Sequence, residues 1–220
     1  MKRAFRFNTC ELEAFGSGAL YWPDEQLLVV SDLHLGKSER VARRSGQMLP
    51  PYETIDTLTR LEAALDASQA AQVICLGDSF DDLDAGAALA PELLDWITRL
   101  IAGRSWTWIE GNHDPGPLEI GGTHRAEMRV GPLTFRHIAQ ATAHAEVSGH
   151  YHPKASLNAK GRVVTRPCFL YDDARLVLPA FGTFTGGLRS TSETLTGLMA
   201  PSARAILTGE SPVEIPMPKR

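Results

Sequence analysis

The sequence predicts an α/β fold in which a parallel sheet with helical crossovers is followed by a second, mostly antiparallel sheet, all within one domain. Three short apolar runs, at residues 27–30, 73–76 and 106–109, have the composition of strands that are buried on both faces. Two segments of helical periodicity, at residues 54–67 and 91–101, separate these runs. This β-α-β-α-β order predicts parallel pairing with right-handed crossovers.

The second half of the chain has a different sequence pattern, with short candidate strands separated by turn residues. These candidates lie at residues 128–130, 133–138, 145–148, 155–157, 162–165, 176–178 and 203–207. Residues 5–22 predict one or two edge strands before the first buried strand. We therefore expect one domain over residues 1–208, and a loose tail over residues 209–220, which are rich in proline and charge.

Composition excludes several classes of protein. The chain has 220 residues, of which 43% are apolar and 22% charged, as in an ordinary globular domain. Its net charge of −4 differs from that of a dedicated nucleic-acid binder, so a nucleic-acid substrate would need a local basic patch and bound cations. No apolar run is long enough for a membrane span, and the N-terminus lacks the pattern of a signal peptide. Three widely spaced cysteines without a C-x-x-C pair favour a reducing, cytoplasmic location.

Polar side chains follow each of the three buried strands. Asp32 and His34 follow the first, Asp78 and Asp81 the second, and Asn112 the third. In an extended backbone, residues two apart point to the same side, and the ends of parallel strands share one edge of the sheet. Oxygen and nitrogen donors at such an edge suit a divalent metal ion. Taken singly, each of these residues is also an ordinary turn residue, so the metal hypothesis depends on their meeting.

Histidines in the second half supply further candidate ligands. His150 and His152 form another pair two residues apart, and His137 ends a candidate strand. His124 is an alternative to His137, which we favour because the residues before it have a strand pattern. His144 lies in a polar loop and is expected to be a bystander.

The strand-end motifs, taken in order, resemble those of the calcineurin-like, binuclear metallophosphoesterase superfamily. The order is D-x-H, G-D-x-x-D, G-N-H-D, a single histidine and G-H-x-H, within residues 32–152. The resemblance implies a two-sheet sandwich flanked by helices (αββα) and a dinuclear metal centre that activates water for attack on phosphorus. The implied metal ligands are Asp32, His34, Asp78, Asn112, His137, His150 and His152, with Asp78 bridging the two ions.

The same resemblance implies roles for three residues that do not bind metal. His113 would act as the general acid that protonates the leaving oxygen. Asp81 and Asp114 would orient imidazoles of the metal ligands.

Within the superfamily, the chain resembles the ligase-associated DNA damage response endonucleases, called the PdeM family. The matching segments are ALYWP (19–23), SDLHLGK (31–37), GHYHP (149–153), RPCF (166–169) and LPAFGTFTGG (178–187). This resemblance implies manganese-dependent cleavage of DNA, with single strands favoured, in repair alongside a helicase and a ligase. A mixed oxygen and nitrogen shell would also accept iron, zinc or cobalt.

A basic cluster follows the first motif directly. Lys37, Arg40, Arg43 and Arg44 could hold the phosphates that flank the cleaved bond. The alternative is a solvated helix face. The glycine pair within residues 183–187 predicts a structural turn, or else a close approach of backbone to the site.

Two other functions compete with a DNA endonuclease. A small-molecule phosphoesterase that acts on nucleotides or phosphomonoesters is favoured by the acidic net charge but opposed by the lack of a cap domain. A scaffold protein that keeps the fold without the chemistry is disfavoured, because every implied ligand position is filled.

Overall fold

Two β-sheets pack face to face, with helices on their outer sides, in a computed structural model of the chain. The structure describes residues 1–46, 52–82, 84, 86, 88–116, 120–159 and 161–218, without the side chains of residues 42–44 and 159. The layer order is the predicted αββα sandwich, so the fold class is confirmed.

The first sheet contains seven strands in chain order. These are β1 (Lys2–Phe7), β2 (Cys10–Phe15), β3 (Leu20–Trp22), β4 (Leu27–Val30), β5 (Gln72–Leu76), β6 (Ser105–Ile109) and β7 (Thr123–Arg125). Strands β1 to β4 pair antiparallel, whereas β4 to β7 pair parallel. Every residue of β4 is buried, because Val29 faces the second sheet while Leu28 and Val30 face the helices. This burial on both faces explains the apolar run without alternation.

Helices cover the outer face of the first sheet. They are α1 (Lys37–Ser45), α2 (Glu53–Ser68) and α3 (Pro91–Ile101). Helix α2 buries Leu58, Leu61 and Leu65, which recur at helical spacing, against this face of the sheet. Pro91 occupies the first turn of α3, where its missing N–H costs nothing. The two helical crossovers predicted from periodicity are therefore confirmed.

The second sheet has the strand order β15-β14-β12-β13-β10-β9-β8, with β11 paired to β12. Its strands are β8 (Glu127–Val130), β9 (Leu133–Arg136), β10 (Glu146–Ser148), β11 (Lys154–Ala159), β12 (Arg162–Tyr171), β13 (Arg175–Val177), β14 (Arg204–Leu207) and β15 (Val213–Pro216). Only β10 pairs parallel with its neighbours among these strands, so the sheet is mostly antiparallel, as predicted. Helix α4 (Glu193–Leu198) packs on its outer face.

The main core fills the space between the two sheets. Phe7 and Leu76 from the first sheet meet Phe135 and Phe169 from the second, and all four are fully buried. Because both sheets turn apolar side chains inward, their strand ends are held at fixed relative positions. The candidate site lies at those ends. No helix in the described ranges is long and apolar enough to cross a membrane.

Two elements differ from the sequence prediction. Strand β7 joins the first sheet, although the sequence predicted no strand at residues 123–125; its three residues carry no apolar pattern that could reveal it. The loose tail predicted over residues 209–220 is wrong for Val213–Pro216, which pairs with β14 as an edge strand. Glu214 accepts hydrogen bonds from Arg3 at 2.6 Å and from the Tyr171 hydroxyl at 2.6 Å, so charge pairing holds this strand.

Candidate metal centre

The candidate ligands follow the ends of strands in both sheets, but their backbone is not extended. Asp32 and His34 have φ of 53° and 47°, His150 and His152 have φ of 70° and 46°, and Asp78 has φ of 47°. The expectation that each pair shares one side through an extended backbone is therefore wrong. Alternating left-handed residues turn the chain tightly instead. Non-glycine residues adopt this conformation at a cost, and such strain concentrates at functional sites.

Glycines allow the strand ends to approach one another. A Cβ on Gly149, just before His150, would lie 1.7 Å from the Ser31 hydroxyl oxygen. A Cβ on Gly77, just before Asp78, would lie 2.5 Å from Nδ1 of His137. The glycines of both motifs are therefore required by the close contact between the two sheets.

The first ligand cluster contains Asp32, His34 and His152, whose ligand atoms lie within 4.8 Å of one another. Nε2 of His152 is 3.1 Å from Oδ1 of Asp32. Nε2 of His34 is buried and has no hydrogen-bond partner among the described residues. Its other ring nitrogen, Nδ1, lies 2.8 Å from Oδ1 of Asp81.

The second ligand cluster contains Asp78, His137 and His150, with Asn112 beside them. Nε2 of His137 is 3.3 Å from Oδ2 of Asp78, 3.0 Å from Oδ1 of Asn112 and 3.2 Å from Nδ1 of His150. Four donor atoms of the kinds that bind divalent metals therefore converge on one place.

The hydrogen bonds behind the imidazoles fit a bound cation. Nδ1 of His137 lies 2.8 Å from the carbonyl oxygen of Leu76, which can only accept, so Nδ1 carries a proton and Nε2 of the neutral ring presents a lone pair. Asp81 orients His34 in the same way and leaves Nε2 toward the cluster. Imidazoles that are fixed from behind, with Nε2 turned toward the other candidate ligands, form the arrangement that metal-binding histidines adopt.

The carboxylates and imidazoles shift one another's pKa values. Burial alone would raise the pKa of Asp32, but His152 and His137 outweigh it and hold that pKa below its usual value. Burial is likewise outweighed at Asp78, where His137 lowers the pKa. Burial would lower the pKa of His137, yet Asp78 and Asp32 raise it. The carboxylates are thus ionised at neutral pH, and the site attracts positive charge.

Two residues of the third motif lie beside the ligand clusters, and the His113 ring contacts the ring of His34 in the first cluster, with centroids 5.2 Å apart. Nδ1 of His113 is 2.8 Å from the carbonyl oxygen of Asp81, so it donates there and Nε2 is left for another partner. Asp114 was expected to orient an imidazole, but it accepts hydrogen bonds from four backbone amides. The four amides are those of Asp78, Ser79, Phe80 and Gly111. Burial and the charge of Asp78 raise the pKa of Asp114 to about 6 despite these bonds.

The basic cluster lies partly at the site. Arg40 forms an ion pair with Asp81, so its guanidinium lies behind His34. Lys37 is close enough to lower the pKa of Asp81. The side chains of Arg43 and Arg44 fall outside the described part of the chain.

The alternative single histidine lies elsewhere. His124 is on β7 and stacks on Trp108, with ring centroids 6.3 Å apart. His137 is the histidine that meets Asp78 and His150, as favoured from the strand pattern. His144 is exposed in the loop before β10.

Sequence reasoning missed two hydrogen bonds that support Asp32. Ser31 donates a hydrogen bond to Oδ2 of Asp32, and the backbone amide of His150 donates to the same atom at 3.0 Å. It also missed the left-handed φ of 60° at Phe184, in the loop that rims the site. The hydrogen bond from His150 and the conformation of Phe184 have no local sequence signal, because the first depends on a neighbour that is distant in the chain and the second on the shape of the loop.

Comparisons with known proteins agree with this geometry. A family profile described as calcineurin-like phosphoesterase matches residues 26–174. A nuclease of Pseudomonas putida, MPE, has a similar structure, with a TM-score of 0.77 and 28% sequence identity over 97% of this chain and 100% of that chain. The phosphoesterase Yfce of E. coli is more distant, with a TM-score of 0.42 and 12% identity over 87% of this chain and 99% of that chain. No curated protein sequence matches the chain.

Proposed function

Because the chain belongs to the calcineurin-like phosphoesterase family, we propose that this phosphoester hydrolase is a dinuclear, manganese-dependent endonuclease that cleaves single-stranded DNA. The family match confirms the resemblance that the strand-end motifs indicated. The family uses a dinuclear divalent metal centre, and the described residues contain candidate ligand clusters for it. Manganese and single-stranded DNA are the finer parts of the proposal.

One observation carries the proposal: two ligand clusters from two sheets lie side by side. Asp32 belongs to the first cluster and Asp78 to the second, while Nδ1 of His137 is 4.0 Å from Oδ1 of Asp32. Two divalent ions held side by side would polarise the phosphoryl oxygens and supply the hydroxide that attacks phosphorus. Asp78 belongs to the second cluster and, as the family resemblance implies, is our candidate for the ligand that both ions would share.

The residues of the chain would position the substrate and move the proton. His113 stands beside the clusters, fixed through Nδ1 to the Asp81 carbonyl. In its imidazolium form it holds a second proton on Nε2, which can pass to the oxygen that leaves phosphorus. The backbone amide of His113 also donates a hydrogen bond to Oδ1 of Asp78 at 2.9 Å. This bond fixes the proposed acid beside the proposed shared ligand.

Space and charge at the site support a polymeric diester as substrate. A cavity of about 390 Å³ adjoins Asn112 and His137 and extends toward Arg136 and Gln140. Lys37 provides positive charge near the opposite, first cluster, where Arg40 is already paired with Asp81. The similarity to a nuclease over nearly the whole chain favours DNA over a nucleotide or a phosphomonoester. We further propose a cytoplasmic role in DNA repair, in association with a helicase and a ligase.

The test measures cleavage after metal removal and replacement. Chelator-stripped protein is reloaded with manganese, iron, zinc or cobalt and given circular single-stranded DNA, a matched duplex, a generic diester and a phosphomonoester. We expect manganese to restore cleavage of the circle most strongly, with product ends mapped by sequencing. Efficient hydrolysis of only the monoester or of nucleotides would favour the small-molecule alternative. Cleavage that a chelator leaves unchanged would rule out the metal mechanism.

A further inference from the structure

Two exposed aromatic side chains touch each other beside the candidate metal centre. Tyr52 is 53% exposed and Phe184 is 41% exposed. Their ring centroids are 5.8 Å apart, and the ring planes are inclined by 57°. Tyr52 precedes the first residue of α2, and Phe184 lies in the loop after β13. Aromatic rings contribute most when they are buried, so two exposed rings in mutual contact are a candidate recognition surface.

Both ends of the loop that carries Phe184 lie against the backbone of candidate metal ligands. The amide of Gly182 donates to the carbonyl oxygen of Asp32 at 3.0 Å. On the other side, a Cβ on Gly187 would lie 2.1 Å from the carbonyl oxygen of His152. Two residues of chain span at most about 7 Å, so Phe184 cannot lie far from the Asp32 backbone. The backbone of Phe184 therefore lies near the candidate ligands, and Tyr52 is next to it through the contact between the two rings.

The conformation of Phe184 is strained and is held by its neighbours. Its φ is 60°, a left-handed value that is unusual for a bulky residue. Thr183 anchors the loop on α2, because its amide donates to the Thr57 hydroxyl at 3.1 Å and its hydroxyl accepts from Arg60 at 2.8 Å. The ring is 41% exposed and contacts Tyr52, so its burial offsets only part of the strain. Backbone strain of this kind is typical of residues at functional sites.

We propose that Tyr52 and Phe184 form a stacking platform for an unpaired base next to the phosphate that is cleaved. This inference rests on the proposed nuclease function and specifies how a single strand would be selected. Every base offers an aromatic face, and stacking on a protein side chain contributes about 1–3 kcal/mol per base without regard to sequence. Bases inside a duplex have both faces covered by their neighbours, so the platform would receive only an unstacked one.

The geometry favours a base on the outer face of the pair over a base between the rings. Insertion between two rings needs two contacts of about 3.5 Å, hence a separation of about 7 Å, which exceeds the spacing here. Lys154, the first residue of β11, lies against this loop, with Nζ 3.5 Å from the carbonyl oxygen of Thr185, and offers positive charge for the phosphates of the DNA strand. This charge beside a phosphoester centre favours nucleic acid over an apolar protein partner as the occupant.

The test compares oligonucleotides with and without bases. The manganese-loaded protein is assayed on two single-stranded oligonucleotides of the same length. One carries all its bases, and in the other the nucleotides that flank the cleaved linkage are abasic. We expect the wild-type KM to be about tenfold lower for the base-bearing strand, which corresponds to the stacking contribution. Phe184→Ala should abolish this preference, Phe184→Leu should abolish most of it, and Phe184→Tyr should keep it. Tyr52→Ala should reduce it.

A matched control and a spectroscopic signal complete the test. Val163 is 72% exposed on the β11–β12 hairpin, and Val163→Ala should keep the full preference. A 2-aminopurine next to the cleaved linkage should lose fluorescence on binding to wild-type protein, and less on binding to Phe184→Ala. Equal base preference in wild type and Phe184→Ala, with DNA still cleaved, would overturn the platform alone. Wild-type protein that hydrolyses a small diester but no oligonucleotide would overturn the nuclease proposal, and the platform with it.

Discussion

The two sheets contribute opposite chemistry to the same site and hold it by different means. The first sheet supplies the carboxylates, and Asp32, Asp78 and Asp81 are almost completely buried. The second sheet supplies most of the imidazoles, and His152 keeps 15% of its side chain exposed. Backbone amides hold the carboxylates, whereas glycines that permit close approach bring the histidines near.

Because the two sheets hold their ligands by different means, the two halves of the site should be sensitive to different substitutions. Buried carboxylates need partners for their charge, so the first sheet should be sensitive to the loss of a charge or a hydrogen bond. The histidine side depends on how closely two backbones approach, so it should be sensitive to added volume. The predictions below test this contrast, from the largest expected effect to the smallest.

The largest effect should follow removal of the shared charge on the carboxylate side. Asp78→Asn keeps the shape of the side chain but removes the charge beside His137. We expect kcat/KM for a diester to fall on the order of 1000-fold, with loss of bound metal, because both ions would lose a ligand. Metal content and single-turnover kinetics check this. Full activity with two bound ions per chain would contradict the assignment of Asp78.

The second-largest effect should come from His113, and it separates proton transfer from metal binding. His113→Ala should keep both metal ions but reduce turnover by about 100-fold or more, since proton transfer to the leaving oxygen would be lost. His144→Ala is the matched control, because His144 is exposed in a loop away from the clusters. A diester whose leaving group needs no proton should be affected least. Equal losses on good and poor leaving groups would argue against the acid role.

A smaller effect tests the support behind His34. Asp81→Asn should weaken metal affinity by about 10–100-fold, because the carboxylate that fixes the ring and pairs with Arg40 is lost. Titration of stripped protein with manganese measures the affinity. Unchanged affinity would mean that Arg40 and Asp81 act only on the fold.

The histidine side is tested by adding volume to one of two adjacent glycines. Gly187→Ala places a Cβ against the carbonyl oxygen of His152, at a left-handed φ of 143°, whereas Gly186→Ala meets nothing within 4 Å. We expect Gly187→Ala to lower the free energy of unfolding by about 1–3 kcal/mol and to reduce activity. Gly186→Ala should be close to neutral. Urea unfolding of both variants decides the point, and equal stabilities would remove the close-approach argument.

The smallest effect lies at the far edge of the second sheet. The Tyr171 hydroxyl, Arg204 and Arg3 outweigh burial and lower the pKa of Glu214 to about 2. Because the folded-state pKa is depressed, the stabilisation is present above the unfolded pKa of about 4.3 and is lost as pH falls toward 2. Glu214→Gln should therefore reduce stability by about 1 kcal/mol at pH 7, and the difference from wild type should shrink as pH falls through about 2 and vanish below it. A constant difference at all pH values would exclude this ion pair as the cause.

Much of the fold was predictable because its signals are local. The apolar runs of β4, β5 and β6 and the periodicity of α2 and α3 identify the parallel sheet and its crossovers directly. Strand β7 was not predictable, since its stability comes from pairing with β6 rather than from apolar residues of its own. The edge strand Val213–Pro216 was missed for a similar reason, because its partners are distant in the chain.

The sequence by itself determined which side chains are available at the site and in what order, because strand ends and glycines can be identified from the types of neighbouring residues. Only the tertiary structure decided how they meet. The left-handed turns at Asp32 and His150, the four amides on Asp114 and the exposed pair of Tyr52 and Phe184 arise from contacts between segments far apart in the chain. Local sequence cannot encode such contacts, because their geometry exists only once both sheets have packed.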